Sequence, residues 1–61
     1  MYNIILEVTH SNGIKSKVRV EQEEEVTQED MDYQEQYYTD RYTYPDNVSA
    51  VVVNVFKLPR D

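Results

Sequence analysis

The sequence predicts an α+β fold, a three-stranded antiparallel sheet in the order 2-1-3 with one acidic helix packed on it, connected ββαβ. Three observations carry this. The first twenty residues alternate apolar and polar around a turn-forming Ser11-Asn12-Gly13; a capped acidic stretch with helical spacing follows; and a valine-rich run closes the chain.

In the first region Tyr2, Ile4, Leu6 and Val8 share one face, and Ile14, Val18 and Val20 recur at the same period after the break. A two-residue Asn-Gly loop would set Leu6 opposite Arg19 and Val8 opposite Lys17, which puts the apolar residues of the two strands on opposite faces. A three-residue loop, Ser11-Asn12-Gly13 with Gly13 left-handed, instead pairs Ile4 with Val20, Leu6 with Val18 and Val8 with Ser16, so this register is expected. It also places Glu7 opposite Lys17 on the outer face.

Composition changes at Glu21. From there to Asp40 the chain holds nine acidic residues and no basic one. Thr27 is a suitable N-cap, Asp30 follows three residues later, and Val26 and Met31 occupy the positions of a hydrophobic staple, so a helix is expected from Gln28. Glu29, Asp30 and Asp32 suit the positive end of its dipole and Arg41, near its expected end, the negative one. Met31, Tyr38 and Tyr42 make a narrow stripe at helical spacing, which assigns Tyr38 and Tyr42 to the core. Tyr33 and Tyr37 point roughly 120–160° away from it and are expected at the surface.

Tyr44-Pro45-Asp46-Asn47 ends the helical region. A third strand is expected over Val48–Leu58, with Ser49, Val51, Val53 and Val55 on one face and Val48, Ala50, Val52, Asn54, Phe56 and Leu58 on the other. Pro59 stops it, leaving Arg60 and Asp61 as a tail. In the order 2-1-3 this strand is an edge, and a long edge with almost no charge needs cover. A homodimer through Val51, Val53 and Val55 is therefore expected.

Length and composition bound the function. The 61 residues make one domain, 1–61, and the absence of cysteine excludes disulfide and thiolate-metal staples. Met1 to Glu7 has no basic n-region before its first charge, and the longest apolar run, Ala50–Val53, is far short of the roughly 20 residues of a membrane helix, so a cytoplasmic protein without membrane contact is expected. A net charge of −6 argues against direct binding to nucleic acid, whose phosphates need Lys and Arg. His10 beside Ser11 in a turn does not give a base aimed at a nucleophile, so no catalytic residue is assigned and the chain is not expected to be an enzyme. Glu23-Glu24-Glu25 lacks the alternating ligands and glycine of a calcium loop, and a single glycine excludes phosphate-cradling loops; neither metal nor cofactor is expected.

Asp32 to Tyr44 interleaves five tyrosines with carboxylates. Tyrosine offers large contact area at low entropy cost. Carboxylates along a helix and its leading loop can also stand in for duplex phosphates, with tyrosines as desolvated anchors, although charge runs are more often plain solvated faces. The candidate partner-binding set is Glu23, Glu24, Glu25, Glu29, Asp32, Tyr33, Glu35 and Tyr37.

A hairpin, an acidic helix and a last strand in some sixty acidic residues resemble, in layout, the small phage-encoded inhibitors of host nucleic-acid enzymes. The DNA-mimicking uracil-DNA glycosylase inhibitors, the small RNA polymerase inhibitors and the anti-CRISPR proteins share this size and charge. The resemblance implies a protein that blocks a host nucleic-acid-binding or defence protein, and it transfers no functional residue. The competing expectation is a structural or regulatory interaction module, antitoxin-like or an assembly protein, acting through the valine-rich third strand.

Overall fold

The computed structural model describes residues 1–59; the expected tail, Arg60 and Asp61, lies outside them. Strands β1 (Tyr2–His10) and β2 (Lys15–Gln22), helix α1 (Gln28–Tyr37) and strand β3 (Asn47–Lys57) follow in the expected order. The sheet is open and antiparallel, ordered β2-β1-β3, so the predicted α+β architecture is the observed one.

The β1–β2 register is the expected one, Ile4 facing Val20, Leu6 facing Val18 and Val8 facing Ser16. The loop explains why. His10 N–H donates to Ile14 O at 2.8 Å, Gly13 N–H donates back to His10 O at 2.9 Å, and Gly13 has φ +86°, a region closed to most side chains. The Asn12 side chain fastens the turn by accepting from the Ile14 N–H. Glu7 does face Lys17, but its carboxylate reaches diagonally to Lys15, 3.6 Å away.

Ile4, Leu6 and Val8 of β1, with Ala50 of β3, are the buried apolar core, and Val18, Val20, Val26, Tyr38 and Val52 pack around them. The central strand thus supplies three of the four residues, because only it has a strand on both sides.

β3 departs from strict alternation. Val52 faces Leu6 and Asn54 faces Ile5, so Val53 is an extra residue, a bulge. A one-residue insertion exchanges the faces beyond it. Val55 therefore faces Ile4 on the same side as Ala50 and Val52, while Phe56 faces Asn3 on the other, which reverses the faces expected for Asn54, Val55 and Phe56. A second shift between Thr9 and His10 leaves Val48 unpaired. Past β3, the Leu58 N–H donates to Met1 O at 2.9 Å.

The helix is shorter than expected. It stops at Tyr37, so Arg41 lies beyond it and its last turn holds no basic residue. The Thr39 hydroxyl donates to Glu35 O at 2.9 Å and lies 3.1 Å from Gln36 O, satisfying carbonyls that a further turn would have used. Asp40 then accepts from the Tyr42 N–H and starts a turn. Tyr42 consequently leaves the helical stripe and is fully exposed, not in the core as its spacing suggested.

Asn3 is fully buried, and neither its Oδ1 nor its Nδ2 has a hydrogen-bond partner. Leaving such a group unsatisfied costs about 1–3 kcal/mol.

Candidate functional site

The acidic loop and α1 are held by a small polar network. Thr27 Oγ1 accepts from the Asp30 N–H at 3.2 Å, and Asp30 Oδ2 accepts from the Thr27 N–H at 3.0 Å, a reciprocal cap. Gln22, at the end of β2, extends it: its Nε2 donates to Asp30 Oδ2 at 3.1 Å and to Glu24 O at 3.0 Å. One glutamine thereby ties the sheet, the loop and the helix start together. The Thr27 backbone N–H and the Gln22 amide hold the Asp30 carboxyl below its ordinary pKa, against a smaller opposing effect of burial.

At 100° per residue, Glu29, Asp32, Tyr33, Gln36 and Tyr37 fall on one arc of α1, and Met31, Gln34, Glu35 and Tyr38 on the other. All five residues of the first arc are exposed, as are Glu23, Glu24 and Glu25 in the leading loop. Seven of the eight candidate residues thus lie on the outer surface of one loop and helix. Among the described residues, the two ion pairs both lie on the sheet, Lys15–Glu7 and Arg19–Glu21, so none of these carboxylates is in an ion pair, and Glu23 shares a pocket with Met1, Tyr2, Lys57 and Pro59. Asp32 does accept from the Gln28 amide.

Glu35 is the exception. It is half-buried, and its Oε2 accepts from the Val52 N–H at 2.9 Å. That N–H points away from β1, so the carboxylate caps the free edge of β3. The helical period already sets Glu35 on the inner arc with Met31, Gln34 and Tyr38, which was the signal against its exposure; which atom it meets depends on where the helix sits against the sheet.

The tyrosines form a chain of rings. Tyr33 stacks on Tyr37 with centroids 6.3 Å apart, Tyr37 meets Tyr38 edge-on at 5.1 Å, and Tyr44 closes against Tyr37 at 5.9 Å and Tyr38 at 5.4 Å. The series runs from the half-buried Tyr38 and Tyr44 to Tyr37 and Tyr33, the latter 63% exposed, so the surface rings are braced from below. Burial pushes the Tyr44 phenol above its ordinary pKa, and the neighbouring Tyr37 and Tyr38 phenols add to the shift. Tyr44, not Tyr42, is the second ring that packs on Tyr38. The Asn47 amide fixes this end by donating to Tyr38 O at 2.8 Å.

His10 Nε2 lies 2.8 Å from Ser16 Oγ across the hairpin. No three His, Asp or Glu side chains converge among the described residues, and no described helix is long and apolar enough to cross a membrane. Of the expected dimer residues, Val51 and Val53 are well exposed and Val55 less so.

No protein-family model matches the chain, and comparison with curated proteins and with solved structures finds no match.

Proposed function

We propose that this protein is an inhibitor, of the kind that phages or mobile elements encode, which occupies the basic groove of a nucleic-acid-binding or defence protein in place of the nucleic acid. The observation that carries this reading is that Glu23, Glu24, Glu25, Glu29 and Asp32 are all exposed and in no ion pair among the described residues, on one loop and helix that also carry the braced rings of Tyr33 and Tyr37. Glu29 and Asp32 lie about one turn apart at the start of α1 and continue the acidic run of Glu23, Glu24 and Glu25, so loop and helix start together offer a basic groove negative charge in place of phosphates. The two tyrosines add apolar area that the partner desolvates, which gives the contact a strength that screened charge lacks. Glu35 is left out of this surface because its carboxylate is committed to β3.

The test is capture from cell extract on the immobilised protein at low salt. Retention of a nucleic-acid-binding protein, its release by moderate salt and by competing duplex DNA, and loss of binding when Glu24, Glu29 and Asp32 are changed to Lys are the expected results. Binding that withstands high salt, or that is indifferent to those three reversals, would contradict the proposal.

A further inference from the structure

The edge strand β3 is not uniform. Along its first part the helix lies beside it, and Asp32, Glu35, Gln36 and Thr39 line a shallow groove with Val48, Ser49 and Ala50. Glu35 caps the outward N–H of Val52. Beyond the bulge at Val53 no such cap is present among the described residues, and Val53, Val55, Phe56 and Leu58 are all exposed. The single charged side chain of this half, Lys57, has its Nζ 5.7 Å from the centre of the Tyr2 ring, so it lies over β1 and does not guard the edge.

The backbone direction in this half follows from one bond. Leu58 N–H donates to Met1 O, so it points toward β1, and alternation along the strand gives Phe56 the same direction and sends the N–H groups of Val55 and Lys57 outward. The free edge is therefore a short template centred on Val55.

We propose that a second copy of this chain pairs with it there, β3 antiparallel to β3 about a two-fold axis at Val55, with Val53 opposite Lys57 and Asn54 opposite Phe56 of the second copy. Three features select a second copy and this register. The core holds only four buried apolar residues in a chain with no cysteine, so the fold gains from a cover that is present whenever the chain is. The pairing segment is nearly neutral and self-complementary, unlike the acidic loop and helix. An axis at Val55 also keeps the like-charged helices apart: each lies alongside residues near Ala50, five positions from the axis, so the two are separated by about 34 Å along the strands, several times the screening length. An axis at Val52 would bring them together and displace Glu35.

Light scattering across the micromolar range is expected to give a dimer mass, and Val53→Lys, which sets a lysine opposite Lys57, to weaken association at least about tenfold while the circular dichroism is unchanged. The register is read separately. Hydrogen-bonded antiparallel pairs have Cα atoms about 5.5 Å apart, within disulfide reach, so Val55→Cys cross-links on oxidation and Val51→Cys does not. A monomer mass throughout the range, or cross-linking through Val51→Cys in preference to Val55→Cys, would overturn the proposal.

Discussion

β1 and α1 hold nine and ten residues and are of opposite character. β1 is flanked by β2 and β3 and buries Ile4, Leu6 and Val8, whereas α1 has no fully buried residue and touches the sheet mainly at β3. The fold therefore rests on the middle strand, and the helix is held by caps and rings at its ends. A surface fixed in this way is free to carry charges and exposed aromatics that a core-forming helix would exclude.

Substitutions should sharpen that contrast. Leu6→Ala, at the centre of a core of four residues, is expected to lower stability by about 2–5 kcal/mol in chemical denaturation, enough to unfold much of the population. Glu35→Ala removes the cap on the β3 edge; it is expected to lose about 1 kcal/mol and to increase association with concentration, read by light scattering. Thr27→Ala should cost about 1 kcal/mol, seen as helical signal lost before the sheet melts. Asn3→Val runs the other way, a gain of about 1 kcal/mol, because it removes two polar atoms that have no partner. Tyr42→Ala should change stability by less than about 0.5 kcal/mol, since the ring is fully exposed.

Two pH effects follow. The Asp30 carboxyl has a lowered pKa in the folded chain, so its contribution is present above the ordinary carboxylate value and is lost as pH falls below 3.8 through the folded value; Asp30→Ala should flatten the acid limb of the stability curve. Tyr44 has a raised pKa, so its contribution is present below the ordinary phenol value of 10.0 and is lost as pH rises past it; Tyr44→Phe should flatten the alkaline limb.

The hairpin, its register and the helix start were legible in the sequence because each is decided locally. Gly13 admits the left-handed turn, period-two alternation orients Ile4, Leu6 and Val8, and Thr27 and Asp30 cap each other across three residues. The later features depend on contacts between distant residues. Nothing near Val53 marks a bulge, so the faces of Val55 and Phe56 were exchanged. Helical spacing alone put Tyr42 in the core, whereas Thr39 and Asp40 close the helix first and leave Tyr42 exposed. Tyr33 and Tyr37 lie at the surface as their period implied, and with Glu23, Glu24, Glu25, Glu29 and Asp32 seven of the eight candidate partner residues are exposed. The role of Glu35 became visible only once β3 was beside the helix.

Amide hydrogen exchange of the free protein and of its complex with the captured partner tests the division between these regions most directly. The account predicts that the slowest amides of the free protein lie in β1, and that the partner adds protection between Glu23 and Tyr37 without altering β2. New protection confined to β3, with the loop and α1 unchanged, would contradict it and make the strand, not the acidic tyrosine surface, the working face.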